Sequence, residues 1–290
     1  LAKMAEGGFT SFEERVDAKK IRDRSESFSD HFSQPALFFR SLSTWEKNHL
    51  INAYSFELGK CTYESIKLRM LWLLAQIDGA LANAVASKLG LDIPASIEKP
   101  VNQNIGADAD PLRYEPIPAK RYLDKSEALS QQYRSSDHLE ARKIAALVAD
   151  GFDGARLEKM KTYLEGRGAV VHLIALHGGT VACSKQVSHP VDAAWMTTES
   201  VLYDAVYIPG GNINALLSEG KVLKFINEAV KHCKALAFDG EGAQLMHASA
   251  ARDFSDDEAI LLDRDPEDFG DAIASHRNWD REPLTAHIAV

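Results

Sequence analysis

The chain has 290 residues and a mass of 31.9 kDa, enough for about two domains. Hydrophobic residues make up 45% and charged residues 26%, the composition of a globular protein with a sizeable core. Lys and Arg number 33 against 42 Asp and Glu, a net charge of −9, and neither part is basic when the chain is split at residue 140; a general nucleic-acid binder, which must neutralise phosphates, is excluded.

Three widely spaced cysteines, Cys61, Cys183 and Cys233, argue against a disulfide scaffold and a zinc ribbon. No apolar run approaches the roughly 18–20 residues of a membrane span, so no membrane role is expected. No secretory signal peptide opens the sequence. Leu stands at position 1, and the chain reads as a processed or excised product. Its compartment is not readable.

Residues 1–42 are polar at first and weakly patterned, with charges from Glu13 to Arg24 followed by Ser25, Ser27 and Ser29. They read as an extended arm too polar for a core of its own. Ser43-Thr44-Trp45-Glu46 is a capping-box signal and predicts a helix to about Leu58. A longer single helix is predicted from Tyr63 to Leu89, with Ile66, Met70, Leu73, Leu74, Ile77, Leu81, Val85 and Leu89 at three- and four-residue steps and Gly90 as its C-cap. Residues 43–90 thus form a small all-α segment. Residues 91–140 hold Pro94, Pro100, Pro111, Pro116 and Pro118, half of the chain's ten prolines, and read as a linker.

From residue 141 to 290 strands alternate with helices. Apolar strands are predicted at Lys143–Ala149, Ala169–Leu176, Ala205–Ile208 and Lys234–Phe238, with helices at Leu157–Arg167 and Ser218–Cys233. Near-continuous apolar strands between helices predict an α/β domain: an open, parallel, flavodoxin-like sheet covered by helices on both faces. Ligands of such sheets lie beyond the carboxyl ends of the strands. Three loops belong there: Asp150 to Arg156, Pro209-Gly210-Gly211-Asn212, and Asp239-Gly240-Glu241-Gly242. Phosphate binding is disfavoured by Asp150 and Asp153 in the first, and His177-Gly178-Gly179-Thr180 reads as a plain turn. No histidine spacing suits a metal. Eleven acidic and three basic residues between Asp253 and Glu282 read as a solvated acidic surface.

Taken together, the three loops and the strand order from Lys143 to Ala250 resemble the class I amidotransferase-like superfamily. That resemblance implies a cysteine nucleophile on the turn after the fourth strand. Here that position falls on Gly240 or, in the neighbouring register, Asp239; the expected acidic partner falls near Arg156. Cys233 lies at the end of the preceding helix, and Cys183 is read as lying in a distant loop. A vestigial pocket is therefore expected, formed by Asp153, Arg156, Gly210, Gly211, Asp239, Gly240 and Glu241, with no catalytic residue, cofactor or metal in this segment.

Four further stretches carry a second resemblance: Glu14 to Arg22, Ser25 to Phe39 (Phe28, Phe32, Pro35, Leu37 and Phe38), Trp45 to Leu58, and Gln76 to Ala82. They look like the end of the wrapping segment and the helical domain of a haem catalase. Followed by an amidotransferase-like domain, and ending in Phe269 to Glu282 with His276-Arg277-Asn278-Trp279-Asp280, the order resembles the large-subunit catalases. The resemblance implies a parent that disproportionates hydrogen peroxide, a haem held upstream of Leu1, an upstream barrel domain as partner, and a homotetramer. This segment is expected to be non-catalytic and to stabilise that oligomer. The alternative is a chaperone-like holding of unfolded clients by the isolated domain.

Overall fold

The computed structural model describes residues 12–17, 25–102, 105, 110–132 and 138–290. Two compact units emerge, one of residues 1–41 and 50–126, the other of residues 42–49 and 127–290.

The first unit is helical. Its helices are α1 (Ser33–Ser41), most of α2 (Thr44–Gly59), α3 (Glu64–Ile77) and α4 (Gly79–Leu89). Phe32, Ala36, Phe39, Leu58, Leu71, Leu74, Leu81, Ala82, Val85 and Ala86 are its buried apolar side chains. Two expectations are corrected here. The stretch read as an extended arm contains α1, because Phe32, Ala36 and Phe39 share one helical face and find a core. Arm residues 1–11 and 18–24 lie outside the described residues. The single long helix is two: Asp78 takes an extended backbone (φ −159°, ψ 128°), and its carboxylate accepts hydrogen bonds from the N–H groups of Ala80 (2.8 Å) and Leu81 (3.1 Å). An N-cap inside an unbroken apolar periodicity is invisible to pattern reading.

The Pro-rich segment is also more than a connection. Up to Ser126 it belongs to the helical unit. Arg69 donates to the carbonyls of Lys99 (3.0 Å) and Pro100 (2.8 Å), and Arg40 to those of Leu123 and Asp124 (3.2 Å each). Lys120 N–H donates to Ser33 Oγ at 2.7 Å. Side-chain donors on the helices thus supply the partners that prolines deny the segment itself.

In the second unit the capping box forms as expected. Ser43 N–H donates to Glu46 Oε2 at 2.8 Å, and the same carboxylate accepts from Ser130 Oγ and Gln131 N–H, both at 2.7 Å. The sheet comprises β1 (Lys143–Leu147), β2 (Val170–Ala175), β5 (Ala193–Ala194), β6 (Ala205–Ile208), β7 (Ala235–Phe238) and β8 (Ile260–Leu262). A separate hairpin, β3 (Gly179–Ala182) and β4 (Ser188–Val191), follows β2. All five pairings of the main sheet are parallel, in the order β5-β2-β1-β6-β7-β8. Without the two-residue β5 this is the flavodoxin order.

Helices α5 (Gly154–Glu165), α6 (Asn214–Leu217), α7 (Gly220–Lys231), α8 (Ala243–Ala248) and α9 (Pro266–Ala274) complete the unit. Alternate strand residues point to opposite faces. Ala145, Leu147, Val206, Ile208, Leu236 and Phe238 meet Phe225, Ile226 and Val230 of α7 and Leu245 of α8. Ile144, Ala146, Ala205, Tyr207 and Ala237 meet Leu157, Met160 and Leu164 of α5 and Phe269 and Ile273 of α9. Burying each large side chain contributes about 1.5–3 kcal/mol.

The acidic terminal stretch is not simply a solvated surface. It supplies β8 and α9, and its Asp257 forms a buried pair with Arg281. The apolar spacing of Ile260, Phe269 and Ile273 is diluted by the surrounding carboxylates, which hides it from composition. Likewise His177-Gly178-Gly179-Thr180 leads directly into β3 rather than forming an isolated turn.

Candidate functional site

Beyond the carboxyl ends of β1, β6, β7 and β8 the chain makes four tight loops. After β1, Gly151 takes φ +89°, and a Cβ there would lie 2.9 Å from that of Asn212. Asp153 caps α5, accepting from the N–H groups of Ala155 (3.0 Å) and Arg156 (3.1 Å). After β6, Gly210 and Gly211 take φ +79° and +81°. A Cβ at Gly210 would lie 2.4 Å from the Asp239 carbonyl oxygen, and one at Gly211 2.6 Å from the Asp153 nitrogen, so both positions require glycine for close approach. After β7, Gly240 takes φ +51°, the sharp left-handed turn expected of an elbow.

Arg156 lies over that elbow. Its Nη1 donates to Asp263 Oδ1 at 2.7 Å, and the same oxygen accepts from Gly240 N–H at 2.8 Å. A Cβ at Gly240 would lie 3.1 Å from Arg156 Nη1. The guanidinium therefore occupies the space beside the position from which a nucleophile would project. The hydrogen bond to Asp263 raises the Arg156 pKa against the opposing effect of burial, and the Gly240 and Arg156 hydrogen bonds hold the Asp263 carboxyl below its usual range. Glu241 Oε2 accepts from Gly211 N–H at 2.9 Å, which lowers its pKa. Tyr207 OH donates to Asp239 Oδ2 at 2.6 Å. Burial raises the Asp239 carboxyl in spite of that hydrogen bond, and burial together with Asp239 raises the Tyr207 phenol. Lys159 and Asp265 pair at 2.8 Å. The remaining cavity is about 240 Å³.

All seven residues expected at the pocket come together at this end of the sheet. Arg156 and Asp239 line the cavity itself; Asp153, Gly210, Gly211, Gly240 and Glu241 build the loops around it. Sequence reading missed Lys159, Tyr207, Asp263 and Asp265. Asp263 follows β8, a three-residue strand with no signal of its own, and has φ +48°. Tyr207 was visible only as an apolar strand residue.

Cys183 bridges to Phe152, and a Cβ on Gly154 would lie 3.0 Å from its sulfur. The β3–β4 hairpin, unread in the sequence, folds it back against the start of α5, where it is buried. Cys233 follows α7 as expected, and burial pushes its thiol up to about 11.

Large parts of the chain match described families. Residues 25–89 match the family described as "Catalase-related immune-responsive", and residues 140–283 the "C-terminal domain found in long catalases". The chain carries both domains and matches the C-terminal part of the large-subunit catalases. Catalase HPII of Pseudomonas putida is 37% identical over 288 residues, covering 97% of this chain and 37% of the relative. Catalase-2 of Bacillus subtilis is 32% identical over 287 residues, with coverages of 97% and 38%. Catalase-B of Dictyostelium discoideum is 32% identical over 290 residues, with coverages of 97% and 39%. The chain thus spans under two fifths of the length of these catalases.

The elbow cavity does not fit the haem that a catalase implies. Iron in a haem needs an axial His, Cys, Met or tyrosinate facing an apolar slot. Tyr207, the tyrosine at the cavity of about 240 Å³, holds its proton against Asp239 and is surrounded by charged side chains. No group of three or more metal-binding side chains occurs among the described residues.

Proposed function

We propose that this chain is a non-catalytic, stabilising portion of a catalase whose complete form disproportionates hydrogen peroxide to water and oxygen. The observation that carries the reading is the closed elbow. Gly240 offers no nucleophile, and Arg156, clamped by Asp263, fills the space beside it. An amidotransferase-like fold without its thiol retains a packed two-faced core and little reactive chemistry. In the complete catalase the upstream barrel domain and the other subunits of a homotetramer are its partners. Deleting residues 141–290 from the complete enzyme lowers its melting temperature and leaves peroxide turnover per haem intact at low temperature. An unchanged melting temperature overturns the proposal.

A second reading is supported by the apolar side chains that the helical unit exposes. Phe28, Phe56 and Tyr63 are each more than 60% exposed. Such groups suit holding of unfolded clients, with the net charge of −9 keeping complexes in solution. Light scattering of a heat-aggregating enzyme, with this chain titrated in and albumin as control, tests it: suppression near one-to-one supports holding, and parity with albumin excludes it.

A further inference from the structure

A second cavity opens at the amino end of the sheet, away from the elbow. It encloses about 700 Å³, within the range of small-molecule sites, and its lining includes Trp45, Gln132, Arg142, Arg277, Asn278 and Trp279. All of these belong to the α/β unit as delimited above.

Its lining carries two arginines, Arg142 and Arg277, against one carboxylate, Asp280. Arg142 precedes β1, Lys234 precedes β7, and Arg277 follows α9. All three gather about one carboxylate, Asp204, which precedes β6. Arg142 Nη1 lies 3.4 Å from Asp204 Oδ1, and Lys234 donates to Ser200. Arg277 donates from Nη1 to the His276 carbonyl at 2.7 Å, and among the described residues it forms no salt bridge. Asp204 is thus a counter-charge shared among three cations, with Glu228 also acting on Lys234, and a half-buried cation with only a shared counter-charge is costly. The neighbours register the excess. Burial and Arg277 push Lys234 down to about 8, and burial, Arg277 and Arg142 push His276 down to about 4.

The facing wall is aromatic. Trp45 and Trp279 stack with ring centroids 4.1 Å apart and planes 15° apart, and His49 meets both edge-on. Both indoles are only half-buried. A guanidinium fork matches a carboxylate or phosphate, and an indole matches a flat ring. We propose that this cleft binds a small organic anion, a carboxylate or phosphate borne on a flat ring, with Arg277 and Arg142 at the acid group and the Trp45–Trp279 pair against the ring.

Calorimetric and tryptophan-fluorescence titrations of the 290-residue chain test this with four probes: AMP, benzoate, inorganic phosphate and adenosine. AMP or benzoate binds saturably and changes the fluorescence, and the stronger of the two identifies the acid group. Adenosine and inorganic phosphate each bind at least about tenfold more weakly, since each lacks one half of the recognition. Arg277→Gln weakens the preferred probe by about tenfold or more, and Trp279→Leu removes its advantage over inorganic phosphate. Far-UV circular dichroism checks the fold, and Arg142→Gln replaces Arg277→Gln should the latter unfold. The proposal is overturned if neither AMP nor benzoate binds at millimolar concentration, if adenosine or phosphate binds as tightly as the preferred probe, or if the folded arginine variant keeps full affinity.

Discussion

Arg281 is 2% exposed and gives two parallel hydrogen bonds to Asp257, at 2.7 and 2.8 Å, while Nη1 reaches the Lys234 carbonyl at 3.0 Å. Removing one partner of a buried pair strands the other. Arg281→Leu therefore costs about 3–5 kcal/mol in urea melts, and the double change with Asp257→Leu costs less than Arg281→Leu alone. A loss below about 1 kcal/mol for Arg281→Leu would show the pair to be solvated. Burial acts to raise the Asp257 carboxyl, but the hydrogen bonds from Arg281 and Asn278 outweigh it and leave the pKa lowered. A depressed folded-state pKa contributes stability above the unfolded value of about 3.9, lost as pH falls through the folded value. Acid melts of the wild-type chain should lose this increment below about pH 4, and those of Asp257→Asn should not. At the elbow, Gly240→Cys tests what closes it. The left-handed backbone makes the change cost about 1–2 kcal/mol. With Arg156 in place, hydrolysis of a peptide ester or turnover of methylglyoxal stays at background; measurable turnover would show that the missing thiol was the only defect. The absent thiol was readable from the sequence because it concerns one residue type at one loop position. The clamp was not, because Asp263 lies 107 residues beyond Arg156 and reaches it only through a strand with no pattern.

Elements with a strong period were legible. The helix α7 buries Val222, Phe225, Ile226, Ala229 and Val230, the five positions its spacing places on one side, and β1, β2, β6 and β7 fall inside their expected apolar runs. Elements shorter than about a turn of signal were not. The strands β5 and β8 have two and three residues and owe their pairing to neighbours already in place, at Ile174, Ala175 and Leu236 to Phe238. The break between α3 and α4 was hidden for the opposite reason: the apolar rhythm continues across it, and only the Asp78 carboxylate marks it. Asp78→Ala should cost the helical unit about 1 kcal/mol. Asp78→Asn should recover most of that loss in thermal melts followed at 222 nm, because its amide oxygen still caps. Equal losses for both variants would assign the effect to charge rather than to the cap.

Across the whole molecule the buried apolar residues are unevenly divided. The α/β unit holds both large clusters on its sheet, whereas the helical unit buries a handful of side chains. Local stability follows buried apolar contact, so amide hydrogen exchange should proceed faster in α3 and α4 than in β1, β6 and β7. Equal protection would indicate that the two units unfold as one. The sheet itself ends in β5 on one side and β8 on the other. The border strands themselves, of two and three residues, have little ladder to lend to a passing chain, although β5 covers only Ile174 and Ala175 of β2. The central strands, whose apolar faces are the ones most able to nucleate fibrils, are reached only after the fold itself has opened. Aggregation on heating should therefore lag behind unfolding, and its rate should track the population of the opened state rather than the concentration of native protein.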